Sequence, residues 1–195
     1  MNPFRVDRIE ALRYRSPEFR WAPFYVALER QQYRGAIVGK KGAGKTTLLL
    51  ELQARLEAGG ATVSYHRLHG DTPHKFRSTL AWLRSVPRHG VGFFDGAEQL
   101  SPLAWQCVAM ASRRLSGFVI STHRPGRMKT LHEARTSEGL LEALIDEIVP
   151  GDRDVVWPRA QAYYRRYDAN LRDVFFALYD DYAQGTIRVE STEGA

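Results

Sequence analysis

Short runs of consecutive apolar residues alternate along the chain with longer segments in which apolar side chains recur every three or four positions. The short runs are typical of buried strands, and the longer segments are typical of amphipathic helices. Strands are predicted at 36–38, 61–66, 91–94, 118–122 and, more briefly, 131–134. Helices are predicted at 22–33, 45–58, from 72 onward, from 101 until Gly117, from 137 until 150, and at about 157–167 and 170–183.

This alternation of buried strands and amphipathic helices requires a parallel sheet that is covered on both faces. We therefore predict an α/β fold, a three-layer sandwich around a parallel five-stranded sheet. The last two predicted helices have no strand between them, which favours a small C-terminal helical lid. The predicted organisation is a core at 1–150, on which the segment 1–34 packs, followed by a lid and tail at 151–195.

The composition narrows the class of protein without indicating a function. The chain has 195 residues, 44% of them hydrophobic, which is enough for one domain with a substantial core. No apolar run approaches the ~18 residues of a transmembrane span. A secretory signal is absent and the single cysteine excludes an internal disulfide, so a cytoplasmic location is the default expectation. The net charge of +6 permits nucleic-acid binding, but no block of basic residues demands it.

One segment matches a phosphate-binding pattern at every fixed position. The residues that fit G-x-x-x-x-G-K-[ST] are Gly39, Lys40, Lys41, Gly42, Ala43, Gly44, Lys45 and Thr46. The segment follows a predicted strand and opens a predicted helix, so its backbone N–H groups are expected to face a phosphate. Lys45 is expected to reach the β- and γ-phosphates of ATP, Thr46 to bind Mg²⁺, and Thr47 to approach the α-phosphate. The alternative is a glycine-rich turn without a ligand; we refer to residues 39–46 as the P-loop.

A second candidate lies at the end of the third predicted strand. P-loop proteins that use Mg²⁺ need a carboxylate near the ion, usually at the end of another apolar strand, the Walker B position. Asp95 follows the apolar run 91–94 and is our candidate, with Thr46, for the metal site. The alternative interpretation is an aspartate that caps a turn with Gly96.

In this order the motifs resemble the division of P-loop ATPases that places an extra strand between the P-loop strand and the Walker B strand. AAA-type, transposition-helper and ABC ATPases belong to it, but the chain has no recognisable ABC signature loop. The segment 95–100, Asp-Gly-Ala-Glu-Gln-Leu, is similar to the D-E-A-x-x-L of AAA-like ATPases. The resemblance covers about 36–122 by motif order and 123–183 more weakly, and it implies an ATP-binding protein that uses Mg²⁺.

The sequence departs from that family at one position. The catalytic glutamate of the family directly follows the Walker B aspartate, and this chain has Gly96 there. Glu98 is the nearest carboxylate and is a candidate to polarise the attacking water, although a solvated glutamate at a helix start is equally consistent. If Asp95-Gly96 is a degraded Walker B pair, Gly96→Glu should raise the rate of ATP hydrolysis.

The resemblance implies roles for four further residues. Thr122 and His123 end the fourth predicted strand, where the family carries the polar residue called sensor 1, which contacts the γ-phosphate or the water. Arg172 opens the last predicted helix and corresponds to the lid arginine called sensor 2. Phe4, or Arg5 in its place, is the candidate to cover the adenine, because the segment 2–5 is similar to the one that rests against the base in such ATPases. A polar strand end and an exposed arginine are the ordinary alternatives for the first three.

The loop after the fourth predicted strand carries three basic residues, Arg124, Arg127 and Lys129. It lies on the side of the sheet where the phosphates are expected. Three interpretations remain open: a phosphate clamp, an arginine finger that acts on a second molecule, and a solvated loop.

Three functions are compatible with these residues. The first is an ATP-binding switch or slow ATPase, catalytic through Lys45, Asp95 and Glu98, that self-associates or is read by a protein partner through its lid. The second is a small-molecule kinase in which Asp71 or Asp95 acts as the base for the acceptor. The third is a helper ATPase linked to DNA. Because a strand and a helix separate the P-loop helix from Asp95, the sequence favours the first.

Overall fold

A computed structural model describes residues 2–16 and 18–187 of the chain. The five strands are β1 (Arg34–Val38), β2 (Val63–Arg67), β3 (Val91–Asp95), β4 (Gly117–Thr122) and β5 (Thr130–Glu133). The eight α-helices of the described residues are α1 (Val6–Ala11), α2 (Trp21–Arg30), α3 (Lys45–Ala58), α4 (Lys75–Ser85), α5 (Pro102–Ala111), α6 (Glu138–Ile148), α7 (Arg153–Arg166) and α8 (Leu171–Ala183). None of these helices is long and apolar enough to cross a membrane.

The strands form one sheet in the order β2-β3-β4-β1-β5, and every neighbouring pair is parallel. The prediction of an α/β fold with a parallel five-stranded sheet is confirmed. Strand β4 lies between β1 and β3, which is the extra-strand arrangement that the resemblance implied. Because the strands are parallel, the loops after β1, β3 and β4 all leave from one edge of the sheet.

The predicted elements exist, but several of their ends differ. Helix α4 begins at Lys75 instead of near 72, because His74 has a left-handed φ of 47° that excludes it from the helix. Helix α7 begins at Arg153, four residues before the predicted start, and carries Pro158 inside it. Helix α1 was not predicted, since none of its six residues is buried and its apolar pattern is correspondingly weak.

The chain forms two compact units. The first contains the described residues within Met1–Pro17, Lys41–Ala43 and Arg135–Ala195, and the second contains Glu18–Lys40 and Gly44–Ala134. The second unit holds the whole sheet. The division at residue 150 proposed from the sequence stays a prediction.

In the sheet-bearing unit, aromatic side chains from successive strands stack on one face of the sheet. Phe94 and Phe118 stack with ring centroids 6.3 Å apart, and Trp105 of α5 stacks on Phe118 at 6.5 Å. Phe94 and Phe118 are fully buried. Rings in such contact bury large apolar areas, and this burial stabilises the packing of β3 and β4, whose carboxyl ends carry the candidate site.

The helical unit has its own apolar core, formed by α6, α7 and α8. Phe4 is part of this core and is only 2% exposed. Its backbone N–H donates to the side-chain oxygen of Asn2 at 2.9 Å. The suggestion that Phe4 covers an adenine is therefore wrong, because a ring enclosed in a core offers no face to a ligand.

Candidate nucleotide site

The P-loop joins β1 to α3 and contains two residues in the left-handed region. Gly42 has φ = +77° and Gly44, the N-cap of α3, has φ = +79°. Only glycine adopts this conformation at low cost, which explains the spacing of the glycines in the motif. The N-cap residue Gly44 provides no side chain to cap α3. The backbone N–H groups of its first turn therefore point out of the helix end without a side-chain acceptor, as an anion site requires.

The start of the P-loop is fixed by its neighbours in the sheet. The N–H of Gly39 donates to the carbonyl oxygen of Thr122 at 3.1 Å, which ties the loop to the end of β4. A Cβ at Gly39 would lie only 2.4 Å from the carbonyl oxygen of Ala134. The chain that follows β5 therefore passes so close that no larger residue fits at this position.

Lys45 is the buried cation of the site, with 8% exposure. Its Nζ donates to the carbonyl oxygens of Gly39 and Lys40, each at 2.7 Å. A buried ammonium needs such acceptors, since its transfer from water without them is very costly. The loop thereby holds the ammonium beside the uncapped end of α3, where the sequence predicted contacts with the phosphates.

Asp95 ends β3 and is only 5% exposed. Its Oδ2 accepts a hydrogen bond from the Thr46 hydroxyl at 2.7 Å. Its Oδ1 accepts a hydrogen bond from the Ser121 hydroxyl, which in turn accepts the N–H of Gly96 at 2.9 Å. The structure thus brings together Thr46 and Asp95, the two residues predicted to serve the metal.

Besides Ser121, sequence reasoning missed two further residues that contact Asp95. Tyr65 donates its hydroxyl to Asp95 Oδ2 at 2.9 Å, and the Nε of Arg67 lies 3.3 Å from the same oxygen. Burial, together with the adjacent charge of Asp95, raises the pKa of Tyr65, so this phenol stays protonated as a donor. The only available signal was the position of both residues at the end of the strand beside β3.

The donor set at Asp95 fits Mg²⁺. The described residues contain no group of three or more His, Cys, Asp and Glu side chains able to hold a metal ion by themselves. Mg²⁺ does not need such a cage, because it keeps several waters and takes its remaining ligands from one or two side chains and the substrate phosphates. Thr46 and Asp95, 2.7 Å apart at the end of the P-loop, supply such oxygens.

Glu98 lies in the short turn Ala97–Gln99 after β3. Its Oε1 is 3.4 Å from Nε2 of His123, the residue that follows β4. Its Oε2 is buried and has no hydrogen-bond partner among the described residues. The structure therefore pairs two of the predicted catalytic residues and leaves one oxygen of the Glu98 carboxylate without a donor among the described residues.

Gly96 has φ = +93°, and a Cβ at this position would lie 2.8 Å from the carbonyl oxygen of Leu68. Any side chain here is strained and also meets a backbone atom. The expectation that Gly96→Glu raises the rate of hydrolysis does not fit this geometry. In this conformation the turn after Asp95 requires a glycine at position 96.

We expect Gly96→Ala to lower the free energy of unfolding by about 1–3 kcal/mol, from the left-handed φ and the crowding against Leu68. Urea denaturation of both proteins measures this difference. Gly139→Ala is the matched control: Gly139 lies in α6 with open space around it, so the same change should be neutral or slightly stabilising there. Equal stability of Gly96→Ala and the wild type would contradict the strained geometry.

The remaining predicted residues are placed as follows. Thr122 is buried at the end of β4, and Thr47 lies in the first turn of α3. Arg172 is exposed in the first turn of α8. Lys41 belongs to the helical unit, where its Nζ lies 3.9 Å from Asp173. The roles of these residues toward a nucleotide stay predictions.

The basic loop after β4 is not uniformly solvated. The guanidinium of Arg127 lies over the ring of Trp105, 5.2 Å from its centroid, and donates to the carbonyl oxygen of Leu100 at 2.7 Å. Burial lowers the pKa of Arg127, opposed by the nearby charge of Glu98. Arg124 and Lys129 are exposed. Arg127 is therefore engaged by Trp105 and Leu100, and the two exposed basic side chains of the loop are those of Arg124 and Lys129.

No protein-family model matches the chain, and no curated protein matches its sequence. Solved structures with a similar fold include a RuvB mutant of Thermotoga maritima, 15% identical over 81% of this chain and 67% of that one, with a TM-score of 0.47. Another is C. elegans PCH-2, 12% identical over 90% of this chain and 71% of that one, with a TM-score of 0.48.

Proposed function

We propose that this chain, whose strand order is that of an AAA-like P-loop NTPase, binds Mg-ATP at the P-loop and hydrolyses it slowly, as a nucleotide switch. The observation that carries the proposal is the hydrogen bond between Thr46 and Asp95, 2.7 Å long, at the uncapped N-terminus of α3. A hydroxyl and a buried carboxylate at this position are what a magnesium-bound triphosphate requires.

Lys45 supports the binding of the triphosphate. Its ammonium already lies inside the P-loop, held by the carbonyl oxygens of Gly39 and Lys40. A preorganised positive charge beside the backbone N–H groups stabilises the charge on the β- and γ-phosphates without a large rearrangement. Magnesium, when bound, would neutralise part of that charge, with Thr46 and Asp95 holding it.

Slow hydrolysis follows from the pair formed by Glu98 and His123. We propose that Glu98 takes the place of the missing glutamate and that His123 orients its carboxylate across 3.4 Å. Glu98 lies on a short turn and is held by one contact of 3.4 Å, so it is less well positioned as a base than a residue on a strand. The rate is therefore expected to be low and to respond to a partner that orders the turn.

A kinase is less well supported because Asp95 is not available as a base. Its Oδ2 faces Thr46, Tyr65 and Arg67, and its Oδ1 accepts the hydrogen bond from Ser121. Both oxygens of this carboxylate are already engaged by groups of the protein, so neither is positioned to take a proton from an acceptor hydroxyl. Asp71, the other candidate base, lies exposed in the loop after β2.

Exposed aromatic residues on α8 support a protein partner. Phe176 is 49% exposed and Tyr179 39% exposed, although Phe175 beside them is buried in the helical core. Phe176 also lines a cavity of about 370 Å³ in the helical unit. We propose that this face of α8 is where a partner, or a second copy of the chain, reads the nucleotide state.

The test is a titration of ATP binding beside a measurement of ATP turnover with Mg²⁺, each with and without DNA. Tight binding with slow turnover supports the proposed switch. Turnover that rises with DNA and falls steeply with salt would favour the DNA-linked alternative. Failure of the protein to bind ATP would overturn the proposal.

Within this proposal, Glu98→Gln is expected to reduce ATP turnover by about 100-fold, the usual contribution of a general base, and to leave ATP binding unchanged. The amide keeps the size of the side chain and removes its ability to take a proton. Single-turnover kinetics on the ATP complex measure the effect. Glu57→Gln, on the exposed end of α3, is the control. Equal turnover in Glu98→Gln and the wild type would exclude Glu98 as the base.

A further inference from the structure

Arg67 is the last residue of β2, and it is the register partner of Asp95 at the end of β3. Side chains two residues apart point to the same face of a strand, so Tyr65 and Arg67 lie on one face and both reach the aspartate. The Nε of Arg67 is 3.3 Å from Oδ2 of Asp95, and the Tyr65 hydroxyl is 2.9 Å from the same oxygen. A fixed positive charge therefore lies against the carboxylate that is expected to serve the metal.

The same oxygen is the one beside Thr46, whose hydroxyl donates to it at 2.7 Å. A divalent cation served by Thr46 and Asp95 needs the lone pairs that these donors occupy. The cation also meets the charge of the guanidinium at short range, in a place where Asp95 is almost fully buried and solvent screens poorly. The Arg67 guanidinium and a divalent cation therefore disfavour each other at Oδ2 of Asp95.

The ion pair between Arg67 and Asp95 can be broken while Asp95 stays in place. It consists of one ion-pair contact through Nε, without the paired geometry of the strongest arginine–carboxylate interactions. The Arg67 side chain is 28% exposed, whereas that of Asp95 is 7% exposed. The guanidinium can therefore move into solvent while the carboxylate stays in place.

We propose that Arg67 competes with the divalent cation for Asp95, so that metal binding to the nucleotide complex requires the Arg67 side chain to leave Oδ2. The inference rests on the proposed function, since it concerns the metal that accompanies ATP. Its consequence is that the chain binds Mg²⁺ more weakly than Thr46 and Asp95 alone would allow. ATP binding to the chain is correspondingly sensitive to the concentration of free Mg²⁺.

The direction in which metal binding changes when Arg67 is removed separates competition from a purely structural role. If Arg67 only orients Asp95 for the metal, its removal weakens metal binding. If Arg67 competes with the metal, its removal strengthens metal binding. The experiment uses the full chain and a fluorescent ATP analogue, whose affinity is titrated over a range of free Mg²⁺ and in EDTA.

We expect Arg67→Gln to lower the free Mg²⁺ needed for half of the full gain in nucleotide affinity by about fivefold, the upper end of what a solvent-screened charge pair contributes. Arg77→Gln, which removes the same charge from an exposed position in α4, is expected to leave the Mg²⁺ requirement unchanged. Tyr65→Phe removes a donor to the same oxygen without removing a charge. Tyr65→Phe should lower the free Mg²⁺ requirement by a smaller factor than Arg67→Gln. If Arg67→Gln does not fold, Tyr65→Phe shows whether the requirement falls or rises.

An unchanged or higher Mg²⁺ requirement in Arg67→Gln, with nucleotide binding intact, would overturn the competition alone. The same outcome in Tyr65→Phe would do so if Arg67→Gln does not fold. If neither the wild type nor Arg77→Gln binds the analogue at any Mg²⁺ concentration, the proposed function is wrong, and the inference falls with it.

Discussion

Replacing Lys45 with alanine is expected to weaken ATP binding by more than about 100-fold, which corresponds to roughly 2.7 kcal/mol. The ammonium of Lys45 is buried in the P-loop and held by two carbonyl oxygens at 2.7 Å. Alanine removes this charge from beside the uncapped end of α3, and the triphosphate then loses charge-assisted hydrogen bonds worth about 1.5–3 kcal/mol each. Isothermal titration calorimetry with ATP and Mg²⁺ measures the loss.

Lys75→Ala is the matched control for Lys45→Ala. Lys75 opens α4 and donates to the side-chain oxygen of Gln99 at 3.1 Å, outside the P-loop. Its removal changes the net charge of the chain equally and should leave ATP affinity within about twofold, since a partly exposed charge outside the P-loop contributes little. Wild-type ATP affinity in a folded Lys45→Ala protein would overturn the assignment of the P-loop.

The sheet and the P-loop could be predicted from the sequence because each depends on a strong local signal. Buried strands such as 118–122 are almost continuously apolar, and the glycines of the P-loop are required by positive φ angles at Gly42 and Gly44. The extra strand between β1 and β3 was expected only through the resemblance. Sequence periodicity does not determine which strands become neighbours.

The surroundings of Asp95 could not be predicted, because they depend on register between strands. Tyr65, Arg67 and Ser121 lie 30, 28 and 26 residues from Asp95 along the chain, and only the parallel pairing of β2, β3 and β4 brings their side chains to it. The role of Gly96 was misread for a related reason. Its φ of +93° and its approach to Leu68 are properties of the folded turn, and a glycine in the sequence does not show whether it replaces another residue or is required.

Asp95→Asn is expected to lower the free energy of unfolding by about 2–4 kcal/mol and to abolish the effect of Mg²⁺ on ATP affinity. Asp95 is 5% exposed and accepts from donors on several sides. An asparagine amide turns one acceptor into a donor, and the Arg67 guanidinium is left without its carboxylate. Urea denaturation and ATP titrations with and without Mg²⁺ measure the two effects.

Asp71→Asn, in the exposed loop after β2, is the control for Asp95→Asn and should change neither quantity. Wild-type stability in Asp95→Asn would contradict the convergence of hydrogen-bond donors on Asp95. An unchanged response of ATP affinity to Mg²⁺ would remove Asp95 from the metal site.

A double-mutant cycle measures how much of the stability loss in Asp95→Asn comes from Arg67. Because part of the loss comes from the unpaired Arg67, adding Arg67→Gln to Asp95→Asn should recover about 1 kcal/mol, whereas Arg67→Gln alone should not stabilise the protein.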